Sequence, residues 1–158
     1  MRRLLLSFSI CLLLSGWAGA ALALPDFYEA ALTSEQEVPP NDSPGYGVCS
    51  ITLVDENTIT FRLEFADLTS QAVAAHIHLG YAGQNGPVLY PLSEVPFDSP
   101  IEGTIDFDPQ YLDELESQGL YVNIHTVNYP NGEIRGQICH FPVATEETSW
   151  GKVRSLYR

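Results

Sequence analysis

The stretch "TITFRLEFADL" (58–68) decides the fold. Ile59, Phe61, Leu63 and Phe65 alternate with Thr60, Arg62 and Glu64, so one face is apolar and the other polar. That period of two is the mark of a half-buried strand, because successive strand side chains point to opposite faces. The turn "DEN" (55–57) precedes it. Outward from there, the same reading gives strands over 27–34, 48–54, 71–80, 88–92, 101–107, 120–127 and 134–141. Pro91 limits the 88–92 strand to a sheet edge. "NYPNGE" (128–133) turns on Asn131-Gly132, a strong hairpin signal. "DPQYLDELESQG" (108–119) breaks the pattern and predicts one short helix, with Asp108 as cap, Pro109 in the first position and Gly119 at the exit. Many short strands at hairpin spacing predict an antiparallel β-sandwich.

The two ends differ from this middle. Arg2 and Arg3 precede an apolar run, Leu4 to Leu14, that is short for a membrane span. Small residues follow at Ala21-Leu22-Ala23, with Ala18-Gly19-Ala20 as a second option. The pattern predicts a signal peptide over 1–23, with an uncleaved anchor as the alternative, and hence a secreted or periplasmic protein. One domain over 24–143 is expected, then a tail over 144–158 that ends in Trp150, Lys152, Arg154, Tyr157 and Arg158. No other segment is long and apolar enough to cross a bilayer.

The formal charge of the full chain is −13. Phosphate backbones and anionic lipid surfaces would repel such a chain, so nucleic-acid binding is not expected. Cys11 leaves with the signal. Cys49 and Cys139 remain, an even count in an oxidising compartment, and are expected to pair as one disulfide. Parity complicates that pairing. Cys49 shares its face with Ile51 and Leu53, inward, whereas Cys139 shares parity with Arg135, outward. A bulge at Gly136 would reconcile the two.

The chain has four histidines, and two of them form "HIH" at 76–78. In 71–80 the apolar set is Val73, Ala75, Ile77 and Leu79, which puts His76 and His78 together on the face away from the core. In 120–127, Leu120, Val122 and Ile124 point inward, and Tyr121, Asn123 and His125 outward. In 134–141, Ile134 and Ile138 point inward, and Glu133, Arg135 and Gln137 outward. Three histidines and an arginine share one face if these strands are neighbours. Three imidazoles with an open fourth position suit copper or zinc. A solvated surface pair is the plainer account of His76 and His78 alone. No Ser-His-Asp spacing, phosphate loop or Cys-x-x-Cys is present, and Asp106 and Asp108 read as strand-end and cap residues.

"ALTSEQEVPP" (31–40), "GYG" (45–47), "AAHIHLGYAGQNGPVL" (74–89), "GLYVNIHT" (119–126) and "PNGEIRGQI" (130–138) together resemble the CHRD domain, found in chordin and in stand-alone secreted bacterial proteins. The resemblance covers roughly 27–141. The family in turn is distantly similar to copper–zinc superoxide dismutases. That similarity implies an all-β, antiparallel Greek-key β-sandwich or barrel, superoxide-dismutase-like and immunoglobulin-like in kind. It also implies copper ligands at His76, His78 and His125, a catalytic arginine at Arg135, and superoxide as a small anionic partner.

The chain departs from the dismutases in one respect that matters. No histidine lies between His78 and His125, so the metal-bridging histidine and the zinc site are absent. The resemblance therefore implies one copper ion, no zinc site, and at most a copper-only dismutase-like activity. His140, beside Cys139, reads as a surface residue. The competing expectation is a non-catalytic extracellular module without metal. In chordin these domains sit in a protein that binds other proteins. Under that reading the histidines bond to the 81–87 loop or to each other, and Arg135 pairs with Glu133 or another carboxylate.

Overall fold

The computed structural model describes residues 26–141. The segment expected to be a signal peptide (1–23) and the tail (144–158) lie outside the described residues, as do the outermost positions of the 24–143 domain. No described helix is long and apolar enough to cross a membrane.

Nine strands are described: β1 (Asp26–Thr33), β2 (Tyr46–Asp55), β3 (Thr58–Ala66), β4 (Ala72–Leu79), β5 (Val88–Ser93), β6 (Ile101–Asp106), β7 (Leu120–Thr126), β8 (Ile134–Gln137) and β9 (Cys139–Phe141). They form one antiparallel sheet in the order β5-β4-β7-β8-β1-β2-β3-β6, with β9 also on β1. The sheet curls into a nearly closed Greek-key barrel or sandwich, with β5 and β6 as its two edges. The expected edge role of 88–92 holds. The 134–141 strand is interior, between β7 and β1, and is divided at Ile138.

Alternation places most of the core where the sequence puts it, except that an irregularity between Ala72 and Ala74 buries Ala72 in place of the expected Val73. Ile59, Phe61 and Leu63 of β3, Ala75 and Ile77 of β4, Val122 and Ile124 of β7 and Ile134 of β8 are all buried in one cluster. Each fully buried aliphatic side chain contributes about 1.5–3 kcal/mol. The helix is α1 (Leu112–Glu116), preceded by a 3-10 turn at Pro109–Tyr111. The Asp108 side chain accepts from the Gln110 N–H, the cap expected of it. At the exit the left-handed residue is Gln118 (φ 63°), one position before the glycine. The Gly119 N–H closes onto the Glu114 carbonyl at 2.6 Å, the 6→1 bond of a Schellman motif. Glycine is favoured at 119 because a Cβ there would sit 3.2 Å from the Glu114 Cβ and carbonyl oxygen, tighter than ordinary contact.

The expected disulfide is absent. Cys49 and Cys139 are both free thiols, the first buried and the second exposed. Strand β1 explains why. Cys49 is in register with Ala30, which faces the core, and Cys139 with Glu29, which faces out. The register on β1 is unbroken from Thr33↔Arg135 to Glu29↔Cys139, so no bulge at Gly136 swings Cys139 inward. Burial also pushes the Cys49 thiol up to about 12, which keeps it protonated and unreactive.

Candidate metal centre

The three histidines come together because β4 and β7 are neighbours. In their register His76 lies beside Asn123 and His78 beside Tyr121, with His125 one step further along β7 beside Ala74. The ring centroids are 4.9 Å apart for His76 and His125, 5.5 Å for His76 and His78, and 6.1 Å for His78 and His125. One nitrogen from each ring lies within 4.8 Å of the other two. Three such points have a common centre no more than 4.8/√3, about 2.8 Å, from each. Metal–imidazole bonds are about 2.0–2.1 Å, so a contraction of under about 1 Å closes the site.

The hydrogen-bond pattern leaves one nitrogen of each ring without a partner. His78 Nδ1 lies 3.0 Å from the Gly86 carbonyl, and His125 Nδ1 lies 3.1 Å from the Pro130 carbonyl. A carbonyl only accepts, so both Nδ1 atoms carry the proton and both Nε2 atoms hold a lone pair. His76 uses its other nitrogen: Nε2 lies 2.9 Å from a Glu94 carboxylate oxygen. The remaining atoms, His76 Nδ1, His78 Nε2 and His125 Nε2, are buried and have no hydrogen-bond partner. An outer acceptor that orients each imidazole is the usual support of a metal-binding histidine. Burial holds His78 and His125 below the ordinary imidazole value, and nearby positive charge adds to it, which keeps the rings neutral and able to bind metal.

This face is outside the barrel but not in solvent. Tyr121 is 2% exposed, Asn123 4% and Arg135 1%. Two segments roof it, 34–45 and 80–87. The Arg135 guanidinium holds the second roof, donating to the Gln84 carbonyl at 2.8 Å and the Tyr81 carbonyl at 3.0 Å. Its Cζ sits 3.4 Å above the Tyr121 ring, and Tyr121 stacks on His78 at 4.8 Å and 9°. The Tyr121 hydroxyl accepts from the Gly86 N–H, the same residue whose carbonyl orients His78. The cavity that Arg135 lines, about 330 Å³, is bounded by 35–40 and 82–83 and includes none of the three histidines.

Arg135 does not pair with Glu133. That carboxylate is fully buried and accepts from Ser43 Oγ, the Thr69 N–H and Thr126 Oγ1. The fourth histidine, His140, lies elsewhere, 3.8 Å from Asp26.

Three contributors escape strand parity. Glu94 follows irregular β4–β5 pairing, and nothing in the sequence ties it to His76. Gly86 is one of several glycines in its loop. Glu37 is a surface-type residue that the fold buries. Burial raises its carboxyl from the usual 4.5 to about 7, against the opposing pull of Arg135 and a weak bond from Asn123 Nδ2.

The second oxygen of Glu37 and the Asn123 carbonyl oxygen are both without partners, and both crowd the space beside Gly132. Folded Glu37 thus keeps its proton to about pH 7, while the unfolded chain releases it near 4.5. Stability is expected to fall as pH rises between these values and to level off above them. Below 4.5 both states are protonated and Glu37 contributes no slope. Glu37→Gln should flatten this slope and stabilise the protein at pH 8 by on the order of 2 kcal/mol. Urea unfolding of both proteins at pH 5 and pH 8 checks it, and parallel pH profiles would contradict it.

Comparison with known proteins agrees with this architecture. The CHRD domain matches residues 28–138. Chordin of Danio rerio is 29% identical over 119 residues, which make up 74% of this chain and 13% of that protein. The chain spans about one eighth of the length of that curated relative.

Proposed function

The chain belongs to the CHRD domain family, and from that premise we propose that it holds a single copper ion through His76, His78 and His125. One observation carries the reading: one nitrogen from each ring lies within 4.8 Å of the other two, and each ring has one buried nitrogen without a partner while its other nitrogen is engaged by an acceptor. Unpaired polar atoms are costly in a buried setting, and a bound cation satisfies all three at once. The distant similarity to copper–zinc superoxide dismutases supports copper as the ion. The absence of any histidine between His78 and His125 supports a mononuclear site with no zinc partner.

Copper bound here would supply one-electron chemistry, and superoxide is the small anion that the similarity suggests. The chain's own residues contribute orientation. Gly86, Pro130 and Glu94 fix the imidazole tautomers, and the roof keeps bulk water from the His78 side. Arg135 has its guanidinium engaged by backbone carbonyls, so it would act on an anion through its field and through Tyr121 rather than by open contact. The signal-like residues 1–23 support export, to the periplasm or outside the cell, as the setting. The similarity to chordin and the structural employment of Arg135 favour a second reading, a non-catalytic extracellular interaction module.

Loading the purified protein with Cu(II) should give one copper per chain and an EPR signal of nitrogen ligation. His76→Ala and His125→Ala should each weaken binding by more than the about 10–100-fold typical of losing an outer partner. Unchanged binding in both variants would reject the site and favour the interaction module. A superoxide assay on the loaded protein then tests the activity.

A further inference from the structure

We infer that the three-histidine site is selective for the cuprous ion over divalent copper and zinc, with the buried Arg135–Tyr121 stack as its selectivity determinant. The inference rests on the proposed copper site and deepens it by naming the charge of the ion that the site prefers.

The first argument is the donor set. All three ligands are imidazoles, which bind a metal as neutral rings, and Gly86 and Pro130, as carbonyl acceptors, hold protons on the far nitrogens of two of them. Among the described residues no cysteine or carboxylate joins the group. The set therefore brings no negative charge to offset that of an incoming ion. Each added positive charge has to be accommodated by the surroundings, which favours the ion carrying fewer.

The second argument is the fixed charge nearby. Strand β7 lies between β4 and β8, so the Tyr121 ring has His78 on one side and Arg135 on the other. The guanidinium sits 3.4 Å from that ring, which in turn stacks at 4.8 Å on His78. Two stacking distances thus separate a permanent positive charge from a ligand ring. At a given distance, its repulsion of a divalent ion is twice that of a monovalent one.

Apart from Glu37, whose carboxyl burial keeps protonated up to about pH 7, the charge that opposes Arg135 is Glu94, on the His76 side, and it is also felt at His125. The two differ in setting. Arg135 is 1% exposed, whereas the Glu94 side chain is 64% exposed. Water and salt screen Glu94 far more than Arg135, so Glu94 offsets the buried charge by less than its closeness to His76 alone would give.

The test is the ratio of Cu(I) to Cu(II) affinity, measured in two competitions. Cu(I), held reduced with ascorbate under argon, is titrated against bathocuproine disulfonate, and Cu(II) against glycine. Zn(II) is titrated against a zinc indicator dye. Wild type should bind Cu(I) more tightly than either divalent ion. Arg135→Met keeps the reach of the side chain without its charge and should lower the Cu(I)-to-Cu(II) ratio by about tenfold. Arg135→Lys should keep most of the wild-type ratio. Circular dichroism confirms that each variant is folded.

If Arg135→Met does not fold, the surface variant Glu94→Lys decides, since it removes the opposing charge and should raise the ratio severalfold. Wild type binding Cu(II) or Zn(II) as tightly as Cu(I) would overturn the selectivity while leaving the metal site intact. So would a folded Arg135→Met, or a Glu94→Lys, with an unchanged ratio. Failure of wild type to bind copper in either state would overturn the site itself.

Discussion

Glu133→Ala is expected to destabilise the protein by about 3–5 kcal/mol, because it strands the donors that bond this buried carboxyl. The carboxylate is 0% exposed. One oxygen accepts from Ser43 Oγ and from the Thr69 N–H, both at 2.6 Å, and the other accepts from Thr126 Oγ1. Those donors come from three separate places: the roof segment 34–45, the turn after β3, and the end of β7. Truncation leaves three donors without an acceptor, the Ser43 and Thr126 hydroxyls on buried residues and the Thr69 N–H on an exposed one, and each buried group costs about 1–3 kcal/mol. Glu133→Gln should fall between, because its amide presents a donor to groups that are themselves donors. Urea midpoints with an unchanged m-value measure the effect, and faster hydrogen exchange at the Thr69 amide localises it. A loss below about 1 kcal/mol for the alanine variant would mean that these bonds reform with water.

The second large effect is expected at Gly86. A Cβ there would lie 1.5 Å from the Leu79 carbonyl oxygen, a distance no relaxation of a side chain can relieve. Gly86→Ala must therefore push the 80–87 segment off the barrel. The move breaks the Gly86 carbonyl bond to His78 and the Gly86 N–H bond to Tyr121 together. A stability loss of at least about 3 kcal/mol is expected, together with a 10–100-fold loss of metal affinity as His78 loses its orienting partner. Gly83→Ala is the control. Its φ of 79° disfavours a side chain, but no atom lies within 4 Å of the added Cβ. That variant should cost about 1–2 kcal/mol and leave metal affinity unchanged. Equal binding by the two variants would show that the loop does not position His78.

Strand parity made much of this legible in the sequence. The alternation of 58–65 and the inward sets of 71–80, 120–127 and 134–141 placed the core and put His76, His78 and His125 on one side of the barrel. Parity reads only which way a side chain leaves the backbone. It does not say what lies above it, so Tyr121, Asn123 and Arg135 could not be recognised as buried. Their cover is two loops that fold back over β4, β7 and β8, held by bonds such as Arg135 to the Tyr81 and Gln84 carbonyls. Cysteine parity was also readable and argued against the disulfide. Cysteine count and compartment favoured it, and the unbroken β1 register decides for parity. Glu94 and Glu37 were out of reach because irregular pairing and loop closure bring them in, and neither has a sequence period.

The position of β1 in the sheet has a consequence for how the chain reaches this structure. β1 is wedged between β2, its neighbour in sequence, and β8 and β9, from the far end. The pairs that seal this seam join residues as distant as Phe27 and Phe141, 141 − 27 = 114 positions apart. Closing such a separation costs chain entropy before any contact repays it. The β1–β2–β3 meander is able to form early and locally, whereas the barrel closes only once the last strands are available. Folding is therefore a late, whole-chain event on the millisecond-to-second scale typical of high contact order. A ribosome-bound or half-threaded chain lacking residues 134–141 would present β1 as an open edge and β7 without its β8 neighbour. The three-imidazole site on β4 and β7 would then lack the strand that brings Arg135 to it.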